Sequence, residues 1–133
     1  MSKENVELVE RVLAAMSADE AETAFALLDP DIVIDATRFV FNPATYRGIE
    51  GARQLQAITD DGWEEMRTEP LRLIDAGERV VVIGRLVGKG KDSGARVERP
   101  TGQVWTIRDG LVVRWEIGFT DPNEALEAVG LAE

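Results

Sequence analysis

The chain of 133 residues is long enough for one domain with a buried core, expected to span 1–133. Its 15 Lys and Arg against 25 Asp and Glu leave a formal charge of −10, which repels phosphate backbones and anionic bilayers, so neither nucleic acid nor a membrane is an expected partner. Without cysteine or histidine, disulfides, thiolate nucleophiles, Cys-based metal centres and Ser-His-Asp triads are excluded, and proton chemistry is left to Asp, Glu, Tyr, Lys or water.

The amino-terminal stretch MSKENVELVERVL carries charge through its first turns and lacks the apolar core of a signal peptide, which predicts a cytoplasmic protein. Val6, Val9, Leu13 and Met16 recur at helical spacing and predict a first helix with one apolar stripe. Asp19 is placed to cap a second helix whose buried side is Ala21, Ala24, Phe25 and Leu28, with Asp29-Pro30 ending it. Residues 31–35 predict a short strand buried on both faces, because Ile32, Val33 and Ile34 are contiguous and β-branched. Residues 36–48 have the pattern of a loop turned at Asn42-Pro43, although Phe39, Phe41 and Tyr46 need somewhere to pack. Ile49, Ala52, Leu55 and Ile58 define a third helix, closed by Asp60-Asp61-Gly62.

Strands are predicted over 63–75, bent near Pro70, over 78–88 and over 97–107, with a Gly and Lys loop at 88–94. Asp109-Gly110 supplies the positive φ angles of a tight turn into a returning strand. Alternation puts Gln103, Trp105 and Ile107 on one face, and on the return Val113, Trp115, Ile117 and Phe119 together, forming one apolar wall around a single amide. Asp121-Pro122 opens a last short helix, with Ala125, Leu126 and Val129 apolar and Gly130 as its stop. Helices segregated from consecutive strands imply an α+β fold with a strongly bent, mainly antiparallel sheet. Val80 to Ile83 are apolar at successive positions, so both faces of that strand need cover. A second subunit on the outer face, hence a homodimer, is the expected cover; a loop or the terminal helix folding over it is the alternative.

LLDPDIVID, YRGIEGARQL, IDAGERVVV, VWTIRDGLVVRWE and DPNEALEAVGL, in this order and spacing, resemble the SnoaL-like branch of the nuclear-transport-factor-2-like superfamily, which includes many small bacterial proteins. The resemblance covers nearly the whole chain. It implies a cone-shaped domain in which the bent sheet wraps around three N-terminal helices, followed by a short C-terminal helix. The superfamily includes ketosteroid isomerases, polyketide cyclases, epoxide hydrolases, dehydratases and proteins that only bind ligands or other proteins, so fold does not decide function. On the ketosteroid isomerase pattern of an aspartate base with a tyrosine and a protonated aspartate, Val12 falls where the tyrosine would be and Ala36 where the base would be, with Asp35 one residue away. Gln103 falls where the protonated aspartate would be and can still donate a hydrogen bond. Histidine-dependent dehydratases are excluded. Arg96-Val97-Glu98, with Glu116, resembles part of the epoxide hydrolase pattern, but alternation turns Glu116 outward.

The candidate catalytic residues are therefore Asp35, held ionised by Arg38, and Gln103, which orients a carbonyl or hydroxyl. Ile34, Arg38, Phe39, Phe41, Tyr46, Trp63, Met66, Trp105, Trp115, Ile117 and Phe119 are the candidate contacts for a small hydrophobic ligand. No phosphate-binding Gly loop, dinucleotide fingerprint or metal-loop spacing occurs, so no cofactor and no metal is expected. Two readings stay open: a carboxylate-based isomerase, cyclase or hydrolase, and a non-catalytic binding or interaction module.

Overall fold

The apolar spacing of the first sixteen or so residues and the β-branched runs of the second half organise the chain into helices first and a sheet after. A computed structural model describes residues 2–39 and 43–131. The elements are α1 (Ser2–Ser17), α2 (Ala21–Phe25), β1 (Leu28–Asp35), β2 (Thr45–Arg47), α3 (Gly48–Gly62), β3 (Trp63–Ala76), β4 (Arg79–Gly90), β5 (Arg96–Arg108), β6 (Leu111–Phe119) and α4 (Pro122–Ala128). The strands form one sheet in the order β2-β1-β6-β5-β4-β3. Every pair is antiparallel except β1 with β6, so the fold is α+β with a mixed, mainly antiparallel sheet.

The inner face buries Ile34, Val80, Val82, Trp105, Ile107, Trp115 and Ile117 against Val9, Val12 and Leu13 of α1, Ala24 of α2 and Ala52 of α3. A second cluster lies on the outer face, where Val81, Val104 and Phe119 pack under Ala125 and Leu126 of α4. On the outer face of β4, Val81 is thus covered from within the chain by α4. Gly102 permits that contact: a Cβ there would stand 2.9 Å from the Ala125 Cβ and 3.3 Å from that of Phe119.

Four expectations change for local reasons. The second helix stops at Phe25 and its residue Leu28 already opens β1, which pairs with Val112 of β6. Pro30 is tolerated in that strand because the ladder to β6 is broken between Leu28 and Val33, where no N–H is required. Asp19 is not the cap; Glu20 holds that position, without a side-chain cap bond, while Asp19 adopts φ 58°. Only one face of β1 is buried, with Ile32 and Ile34 inward while Val33 and Asp35 are half-buried.

The fourth change concerns β6. An extra residue at 113, and another between Ile117 and Phe119, shift its register against β5. Val112, not Val113, therefore joins the inner core, and Phe119 turns to the outer face beneath α4. Gly118 makes the second reversal possible, with φ 92° and only 3.0 Å between its would-be Cβ and the Phe39 ring.

Candidate functional site

Where α1, α2 and α3 cross the concave face, the side chains leave a cavity of about 320 Å³. Its walls come from Val12, Leu13 and Met16 of α1, Phe25 of α2, Ala52 and Leu55 of α3, and Trp115 and Ile117 of β6. Trp63, Met66 and Thr68 of β3 and Leu86 of β4 close another side. Gly88 gives Trp63 its place, since a Cβ at 88 would stand 3.1 Å from the indole. The buried part is apolar except for Thr101 and Gln103, each 5% exposed. Exposed Asp19, Asp60, Glu64, Glu65 and Arg67 form the rim.

Gln103 is the centre of a polar cluster among rings. Its Oε1 accepts from Trp105 Nε1 at 3.0 Å and from Trp115 Nε1 at 3.2 Å, and its Nε2 donates to Thr68 Oγ1 at 3.0 Å. Trp105 and Trp115 are direct partners across β5 and β6, with ring centroids 4.6 Å apart. Among the described residues no buried side-chain polar atom lacks a partner.

Of the residues singled out in the sequence, Ile34, Phe39, Trp63, Met66, Gln103, Trp115 and Ile117 line this cavity. Trp105 does not reach it and acts behind Gln103. Tyr46 is buried in β2, opposite Ile34 and directly over Gly51 of α3, and takes no part in the lining. Phe119 lies on the outer face, with the Arg38 guanidinium 4.0 Å over its ring. Phe41 lies outside the described residues.

Asp35 is not in the cavity either. Alternation in β1 sends Ile34 inward and Asp35 outward, and Ala36 returns to the core fully buried. The Asp35 carboxylate accepts from the Thr37 hydroxyl at 2.6 Å and the Thr37 N–H at 3.0 Å, and lies 3.3 Å from Arg114 and 3.7 Å from Arg38. The Thr37 hydroxyl, with the Thr37 N–H and the two guanidinium groups assisting, holds its pKa below the usual carboxylate range against the opposing effect of burial. Such an acid is a poor proton acceptor. Glu116 joins Arg114 at 3.5 Å, and Glu98 pairs with Arg85, so neither completes an acid pair at the cavity.

Thr68 and Thr101 were not singled out, yet both line the cavity with hydroxyls. The alternation that turns Met66 inward also turns Thr68 inward, and Thr101 precedes Gln103 by two, so the period-2 pattern held the signal.

The SnoaL-like domain model matches residues 9–115. The chain belongs to that family. Solved structures give the same SnoaL-like architecture at low identity. An NTF2-like protein of unknown function from Burkholderia pseudomallei is 23% identical, with a TM-score of 0.78 over 96% of this chain and 98% of that one. TerC, co-crystallised with polyporic acid, is likewise 23% identical, with a TM-score of 0.78 over 95% and 98%. A putative SnoaL-like polyketide cyclase from Jannaschia is 22% identical, with a TM-score of 0.75 over 99% and 95%. No curated protein matches the chain. No helix among the described residues of this SnoaL-like domain is long and apolar enough to cross a membrane.

Proposed function

We propose that this SnoaL-like domain binds a small, largely hydrophobic organic molecule in the cavity between its helices and the concave sheet face. The observation that carries the reading is the cavity itself: about 320 Å³, walled by aliphatic and aromatic side chains, with a compact polar group at Gln103 and Thr68. That volume falls at the lower end of the roughly 300–1,000 Å³ typical of ligand pockets, which pair apolar walls with a few placed polar groups. TerC, a neighbour of the same fold, was co-crystallised with polyporic acid, which supports the same use of the fold here.

Binding is favoured over carboxylate catalysis by the positions of the acids. The carboxylates that line the cavity are the exposed rim residues Asp19, Asp60, Glu64 and Glu65, whereas an isomerase or cyclase of this kind needs an acid raised in pKa by burial beside the reacting atom. A homodimer, if the domain forms one, would use the outer surface that α4 leaves open, where Glu69, Arg85 and Glu98 form a charged ladder. Sedimentation velocity decides that point.

Native mass spectrometry of protein purified from its own host tests the binding reading. A discrete added mass that is retained under gentle ionisation and lost on denaturation is the expected result. Only the bare chain, together with no saturable binding of small apolar compounds, would overturn it.

A further inference from the structure

We infer that the cavity selects a ligand whose polar group is a hydrogen-bond acceptor, such as a carbonyl or ether oxygen on an apolar skeleton, and that Trp105 and Trp115 impose this by locking the Gln103 amide. The inference rests on the ligand-binding reading and names the chemistry of its ligand.

An indole N–H can only donate. Trp105 Nε1 and Trp115 Nε1 both converge on one atom of Gln103, at 3.0 and 3.2 Å, so that atom must be the carbonyl oxygen. A flipped amide would set its NH2 group against two donors. The NH2 is thereby turned the other way, where one hydrogen reaches Thr68 Oγ1 at 3.0 Å and the other has no partner among the described residues. Gln103 lines the cavity while 5% exposed, so this second hydrogen is a donor with little water to satisfy it.

Two hydroxyls stand beside this amide and can add donors to it. Thr68 Oγ1 accepts from Gln103, which directs its own hydrogen elsewhere. Thr101 also lines the cavity, and its hydroxyl can donate to a ligand oxygen. A ligand oxygen with lone pairs satisfies these donors together. An ammonium has no lone pair and meets N–H with N–H. The rim acids act in the opposite sense, attracting cations from outside, so an amine separates the effect of the buried amide from that of the rim charge.

Trp105 is a positioning residue, since it touches Gln103 and not the cavity. The test uses three ligands on one bicyclic skeleton, 1-tetralone, tetralin and protonated 1-aminotetralin, titrated calorimetrically into the full chain. The ketone is expected to bind about three- to tenfold more tightly than the hydrocarbon, the equivalent of one net hydrogen bond, with the ammonium weakest. Trp105→Phe keeps a ring and removes the N–H, and is expected to narrow the ratio of ketone to hydrocarbon affinity. Loss of packing alone would weaken both ligands together. Gln103→Glu keeps a donor only while its carboxyl is protonated, so its preference for the ketone over the ammonium is expected to fall as pH rises, a readout that stands even if Trp105→Phe fails to fold. Equal affinity for tetralone and tetralin, or tightest binding of the amine, would overturn the inference while leaving the binding reading intact. No saturable binding of any of the three overturns both.

Discussion

Trp105 and Trp115 stack across the β5–β6 pair with centroids 4.6 Å apart and planes tilted by 32°, and both direct their indole N–H groups at the Gln103 oxygen. The pair combines apolar burial with one acceptor that satisfies both indole donors at once. Gln103→Leu strands both, Trp105 being wholly buried and Trp115 nearly so. We expect a loss of stability of about 1–3 kcal/mol for each stranded donor, read by urea unfolding. Adding Trp105→Phe and Trp115→Phe to Gln103→Leu should recover part of that loss, because apolar partners leave no donor unmet. If the triple variant is less stable than Gln103→Leu by the full packing cost of both rings, the hydrogen bonds were not what mattered.

The Asp35 cluster predicts a pH dependence without a ligand effect. Its folded pKa lies below the unfolded value of about 3.9, so the stability it contributes is fully present above that value and is lost as pH falls through the folded pKa. Asp35→Asn is therefore expected to cost about 1 kcal/mol at pH 7 and progressively less below pH 4. Ligand affinity should not change, as the side chain faces away from the cavity. A lowered affinity in Asp35→Asn would place the carboxylate's influence inside the site.

Val12 projects into the cavity from α1 and is 1% exposed. Val12→Phe fills empty space rather than packed core, and is expected to leave stability unchanged or raise it by about 0.5–2 kcal/mol. Ligand binding should fall at least tenfold, or about 1.4 kcal/mol. Calorimetric titration and thermal unfolding of the same preparation check the two halves, and unimpaired binding would mean that the ligand sits elsewhere.

Docking of α4 depends on Gly102 lacking a side chain. Gly102→Ala brings a methyl to 2.9 Å from Ala125 Cβ, which should cost about 1–3 kcal/mol through overpacking. Ala125→Gly in the same chain opens room and should return part of it. Additive losses in the double variant would show that the two positions do not meet.

Much of the architecture was legible because it depends on local periodicity. The stripe of Val9, Leu13 and Met16, the alternation through Gln103, Trp105 and Ile107, and the Asp109-Gly110 turn each stand in a few consecutive residues. They identified the helices, the hairpin and seven of the residues that line the cavity. The misassigned positions on β6 follow one cause. Phe119 and Val113 continued an alternation that β-bulges interrupt, and a single extra residue sends every later side chain to the opposite face. Gly118 hinted at such a break, but a lone glycine in a strand does not say whether it bulges or merely approaches another backbone.

Residue order and spacing were sufficient to establish the fold class, the SnoaL-like relationship and an apolar wall with one amide in it, because those are properties of neighbouring residues. Three-dimensional packing alone laid α4 over Val81 and Val104, and joined Thr68 to Gln103 from 35 residues away. These outcomes depend on strand register and on contacts between distant segments, and no local pattern encodes where a bulge will fall or which donor a buried amide will meet.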